Sequence, residues 1–198
     1  MRQYLITAEN ASELKSKIIK VRERINIERP KSVMVRAFLI EWQIERVEEF
    51  CKVLHDELPM AEIVGCGSNG SIVDSRVMEG KHLFIVTLFD KTELQTLTYE
   101  FGRGLESVIS GAISAEIDRR SDVCAVELFT TLLKIDARKF LGGIHFRNKS
   151  IAVFGSNVMG VVPNATDDLK ESAFILSRNG VVKCGAVMVI YKGTDLQV

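Results

Sequence analysis

The residues Gly65-Cys66-Gly67-Ser68-Asn69-Gly70 follow the apolar run Ala61-Glu62-Ile63-Val64. Their GxGxxG spacing is the one that lets a backbone close on a dinucleotide pyrophosphate. Asp90 stands about 20 residues on, where an acid would meet a ribose hydroxyl. That chemistry needs the third glycine to open a helix whose amides face the phosphates. Here Ser71 to Lys81, interrupted by Gly80, leaves too little chain for such a helix and its return to a sheet. Two further readings stay open. One is a tight glycine turn closing a core strand. The other is a loop whose main-chain amides, with Cys66, Gly67, Ser68, Asn69 and Ser71, contact a small polar ligand.

A second segment with binding chemistry is Leu141-Gly142-Gly143-Ile144-His145-Phe146-Arg147-Asn148. Gly142 and Gly143 allow a close backbone approach, and His145 and Arg147 are donors suited to a carboxylate or phosphate. The alternative is an ordinary solvated turn. No hydrolase pattern is present: there is no GxSxG elbow, and nothing in the spacing links the Cys66 thiol to a histidine. His55, His82 and His145 share no metal-ligand spacing. His55 belongs on a helix surface, and Asp167-Asp168 reads as the solvated start of a helix. With neither a Walker lysine nor an aromatic platform between Lys and Arg residues, no catalytic residue, metal or cofactor is assigned.

The elements that must position these segments follow from periodicity. Apolar residues at Ala11, Leu14, Ile18, Val21 and Ile25 draw one helical stripe, capped by Asn10 or Ser12 and ended at Arg29-Pro30. Ser32 to Ile40 is a buried strand, and Ile44, Val47, Cys51, Leu54 and Leu58 form a second helical stripe that leads to a short strand near Ile63. This order predicts a parallel βαβ crossover. The segments His82 to Phe89 and Gln95 to Phe101 are predicted to pair as a hairpin. Gly102 to Arg120 is read as a helix with Leu105, Val108, Ile109, Ala112, Ile113 and Ile117 inside. The strands Val123 to Thr130, Ser150 to Gly155, Ala173 to Ser177 and Val181 to Tyr191 follow, the last two joined at Arg178-Asn179-Gly180. The expectation is an α/β fold of mixed parallel and antiparallel sheets covered by helices, in a single domain over 1–198 with an N-terminal helix in 1–30 and a core over 31–192.

Composition bounds the class. The chain has 198 residues, 46% hydrophobic and 26% charged, enough for a globular core. Lys plus Arg and Asp plus Glu both total 26, so no net field draws the chain to nucleic acid or an anionic membrane. Its apolar runs are shorter than the roughly 20 residues that span a bilayer, and the start carries no secretory signal. The cysteines Cys51, Cys66, Cys124 and Cys184 are scattered and read as reduced thiols, so a cytoplasmic location is expected.

The run from Val33 to Phe38, the helix ending at Leu58-Pro59, Ile63-Val64-Gly65-Cys66-Gly67-Ser68-Asn69-Gly70, Phe140-Leu141-Gly142-Gly143 and the hairpin at Asn179-Gly180-Val181-Val182 together resemble the FIST N-terminal domain. That family is named for F-box and intracellular signal transduction proteins. The likeness spans Lys31 to Tyr191. In the family the turn commonly reads glycine, cysteine, two small hydroxyl residues, alanine, glycine, glutamate, and Gly67, Asn69 and Ser71 depart from it. The resemblance implies a sensory module, not an enzyme, that binds a small ligand such as an amino acid or carboxylate. It also implies a signalling output module or a FIST C-terminal domain as partner. The chain stops too early to hold that second domain, and is expected to be a cut-out input domain or a short member of the family. A shared polar pocket between the two glycine segments is the expected site. A nucleotide-cofactor enzyme and a ligand-free scaffold are the competing readings, and the oligomeric state is left open.

Overall fold

A computed structural model describes residues 1–41, 43–73, 75–78, 80–131, 134–158 and 173–193. The chain begins with a strand, β1 (Arg2–Ala8), ahead of helix α1 (Ala11–Glu28). Asn10 caps α1 by accepting from the Glu13 amide, and Arg29 closes it in the left-handed region at φ 48°. The stripe Leu14, Ile18, Val21 and Ile25 is buried as its spacing predicts, each side chain contributing roughly 1.5–3 kcal/mol before chain entropy is subtracted. Strand β2 (Ser32–Leu39), helix α2 (Ile44–Glu57) and strand β3 (Glu62–Gly67) form the predicted crossover. β2 and β3 pair in parallel, with Ala37 opposite Gly65.

After β3 the chain makes a small antiparallel hairpin, β4 (Ser71–Val73) with β5 (Arg76–Met78), and then strand β6 (His82–Phe89). The expected hairpin between β6 and the next strand, β7 (Glu93–Glu100), does not form. β6 lies between β1 and β2, whereas β7 belongs to a different sheet. The Asp90–Thr92 corner carries the chain across, held by Lys31 N donating to Phe89 O and by the Ser32 hydroxyl donating to Thr92 O. Alternation alone names two strands but not their partners, and burial of both faces of β6 decided this case.

The second half contains helix α3 (Glu106–Asp118), strand β8 (Val123–Thr131), the short helix α4 (Ala137–Gly142) and strand β9 (Ala152–Val158). Strands β10 (Ile175–Ser177), β11 (Gly180–Val182) and β12 (Gly185–Lys192) complete it. The predicted continuous strand Val181 to Tyr191 is therefore broken at Lys183-Cys184, where the chain passes from the six-stranded to the four-stranded sheet for the second time. One sheet has the order β1-β6-β2-β3-β10-β11 and the other β7-β12-β8-β9. Both mix parallel and antiparallel pairs, as the α/β reading requires.

Three cores separate the layers. α1 and α2 bury Leu14, Ile18, Val47, Phe50 and Leu54 on one face of the six-stranded sheet. The two sheets bury Met34, Val64, Cys66, Phe129, Val187 and Tyr191 between them. α3 and α4 bury Ile113, Ile117 and Phe140 against the outer face of the four-stranded sheet. The predicted helix start at Asp167-Asp168 lies outside the described residues. No described helix is long and apolar enough to cross a membrane.

Candidate functional site

The turn after β3 leaves the sheet at the carboxyl ends of the parallel pair β2–β3, the position where α/β sheets tend to present ligand-binding loops. A Cβ on Gly65 would lie 2.4 Å from Ala37 O, so the first glycine serves strand packing. Cys66 points into the core between the sheets, and burial pushes its thiol up to about 11. It lies there as a buried side chain, packed with Met34 and Val64. Ser68 N donates to Leu39 O, tying the turn to the end of β2. The Ser68 hydroxyl donates to Gly70 O at 2.6 Å and accepts from Gly70 N at 3.3 Å, which holds a preformed turn with Asn69 exposed at its apex. Ser71 is buried as the first residue of β4. A hairpin follows the motif where a dinucleotide site would need a helix, so the geometry that cradles a pyrophosphate is not built.

The second glycine segment lies in another layer. The buried face of α3 carries Glu106, Ser110, Ser114 and Asp118 at successive steps of four, and these side chains receive the segment 136–147. Glu106 accepts from the Asp136 amide at 2.9 Å, Ser114 from the His145 amide at 2.9 Å and Asp118 from the Arg147 amide at 2.7 Å. The Asp136 amide, with Glu106's own amide and that of Gly104, holds the Glu106 carboxyl below the usual carboxylate range. A Cβ on Gly143 would lie 2.0 Å from Ser110 Oγ, so this glycine lets α4 seat on α3. Gly142 is exposed, His145 is exposed, and Arg147 pairs with Asp118 at 3.6 Å on the surface. The polar stripe is a bracket for a loop whose backbone would otherwise lack partners.

The two glycine segments thus do not face a common pocket. Cys66 sits in the core between the sheets, while Gly143 sits on the helices outside the second one. The reason is again the crossing at Asp90–Thr92, which sends the second half of the chain into its own sheet and helix layer. The same stripe corrects the face of α3: Leu105, Val108 and Ala112, expected inside, are exposed because Glu106, Ser110 and Ser114 occupy the inner face.

Two polar groups escaped the sequence reading. Arg36 of β2 reaches across to Glu127 of β8, with Nε 3.0 Å from Oε1 and Nη2 2.7 Å from Oε2, and the Tyr191 hydroxyl bonds both partners. A single charge in each of two apolar strands was the available signal, since a buried charge demands a partner. Near the turn, His82 begins β6, with Nδ1 accepting from the Ile40 amide at 3.0 Å and a backbone bond to Glu9. Its ring stacks edge-on against Phe50 at 4.5 Å. Burial holds the imidazole below its usual value, against the opposing pull of Glu41. Glu41 is itself buried, accepts from the Gln43 amide at 3.0 Å and lies 3.6 Å from Arg46. His82 is therefore a neutral clasp between the ends of β1 and β2. No cluster of metal-ligating side chains occurs among the described residues.

The model of the FIST N domain matches residues 38–198 of the chain. No curated protein matches it.

Proposed function

The chain belongs to the FIST N domain family, a family of sensory domains in signal transduction, and on that premise we propose that it binds a small polar ligand and relays its presence to an output module. The ligand class is an amino acid or small carboxylate. Gly67, Ser68 and Asn69 form the binding turn, backed by Ser71 at the start of β4. Cys66 supports the turn from beneath. Gly142, Gly143, His145 and Arg147 brace the outer layer and take no part in binding.

The observation that carries this reading is a rigid, hydrogen-bonded turn with its polar apex in solvent at the carboxyl ends of a parallel pair. Such a turn is already ordered, so little entropy is lost when a ligand engages it. The closed hydrogen bonding of His82 and the high thiol value at Cys66 argue for recognition over turnover. Relay requires that the ligand prefer one of two conformations, since equal affinity shifts nothing. The signalling output module, or a FIST C-terminal domain, is the partner that reads that preference.

A thermal-shift panel of amino acids and small carboxylates tests the proposal. A true ligand at 100 times its dissociation constant adds about 2.7 kcal/mol, or roughly 5–10 °C for a chain of this size. Asn69→Ala should abolish the shift while leaving the unliganded melting temperature in place. A panel without any stabilising compound, or a full shift retained by Asn69→Ala, refutes the assignment.

A further inference from the structure

Strand β9 ends the sheet order β7-β12-β8-β9, so one of its backbone edges has no strand partner among the described residues. Exposed sheet edges are usually protected by charge, proline or shortness, because unpaired amides and carbonyls recruit other strands. The remaining sheet edges follow this rule. β1 opens with Arg2, held to Glu28; β7 begins and ends with glutamate; β11 is three residues long. β9 does not. Its sequence, Ala152-Val153-Phe154-Gly155-Ser156-Asn157-Val158, carries no charge and no proline, and its central residues are exposed. Val153 is 47% exposed and Phe154 39%.

We propose that the edge of β9 without a strand partner among the described residues pairs antiparallel with β9 of a second copy of this chain, about a twofold axis at Gly155, joining the two four-stranded sheets into one. Homotypic pairing sets every charge near the axis against its own copy, and an uncharged strand avoids that repulsion. The residue order also suits this register. With Gly155 opposite Gly155, Phe154 faces Ser156 and Val153 faces Asn157, so each large side chain meets a smaller polar one in both directions. Gly155 has φ 144°, and a Cβ there would lie 1.8 Å from Leu128 O. β8 therefore requires glycine at the centre of the strand, and this also leaves the axis bare for close approach.

A surface beside the strand points the same way. Leu128, Leu141, Val153 and Gly155 line a cleft of about 210 Å³ on the helix side, where the Thr130 hydroxyl donates to Asn157. Leu141 is exposed there. A second strand laid along β9 covers the open flank of this cleft and the outward side of Val153. Backbone pairing would supply the affinity and these side chains the register.

Sedimentation of the 198-residue chain over a rising micromolar series tests the proposal. The wild-type chain should form a dimer. Val153→Lys should weaken it at least roughly tenfold, with an unchanged circular dichroism spectrum showing that the fold survives. Val153→Lys combined with Asn157→Glu should restore it, because each lysine then faces the other copy's glutamate. A wild-type chain that stays monomeric, a dimer that Val153→Lys leaves intact, or a folded double variant that remains monomeric overturns the proposal.

Discussion

Removing one partner of the Arg36–Glu127 pair gives the most direct test of how the two sheets are joined. Arg36 is anchored in β2 and Glu127 in β8, so the pair spans the core between the sheets, and the side chains are only 18% and 7% exposed. Arg36→Met leaves the Glu127 carboxylate with the Tyr191 hydroxyl as its remaining hydrogen-bond partner among the described residues, in surroundings too apolar to solvate a charge. A buried pair broken on one side costs about 3–5 kcal/mol. Partial exposure of Arg36 places the expected loss near the lower end, about 3 kcal/mol, or a fall in Tm of roughly 6–12 °C. Glu127→Met should cost a similar amount by stranding the guanidinium. The double variant, which removes both charges and fills the space with apolar atoms, should lie within about 1 kcal/mol of the wild type. Urea unfolding of the four proteins closes the cycle and should return a coupling of at least about 2 kcal/mol. Single losses below about 1 kcal/mol with no coupling would mean that water solvates the pair and that hydrophobic packing alone holds the sheets together.

His82 should make stability depend on pH in one direction. Burial depresses its folded value, so the unfolded chain binds more protons near and below about pH 6.5, and stability is full above that pH and falls as pH drops through the window beneath it. One proton limits the slope to about 1.4 kcal/mol per pH unit. In denaturation series, His82→Gln should flatten this part of the profile, and parallel profiles for the two proteins would contradict the clasp. Gly143→Ala should cost about 1–3 kcal/mol through its collision with Ser110, with partial recovery on adding Ser110→Ala. Gly142→Ala, which meets open space, should be near neutral, and equal costs at the two glycines would show that α4 does not seat as described.

Local signals specified much of the fold. The stripe from Leu14 to Ile25 and its Asn10 cap act within a few residues, as does the apolar run of β2, and each is found where its spacing places it. The parallel pair β2–β3 follows from helix and strand order together with the handed crossover. β1 was missed because its buried positions are few and its pairing partner, β6, lies some 80 residues away. The inner face of α3 was misread for a related reason. Serine and glutamate are scored as solvent-facing until the loop whose amides they bind is in place.

The candidate site divides in the same way. That a tight turn, Ser68–Gly70, follows the core strand was one of the readings open from residue type, because glycine and small hydroxyl side chains act on their own backbone. Its position at the end of a parallel pair, the inward direction of Cys66 and the separation of the Gly143 segment into another layer were decided by tertiary structure. The same holds for the Arg36–Glu127 contact and the place of β9 at the end of its sheet order. All of these depend on which strand neighbours which, and that choice was made by long-range burial when the chain crossed between sheets at Asp90–Thr92 and again at Lys183-Cys184. Periodicity determines which side of an element is apolar; only the assembled layers determine what that side meets.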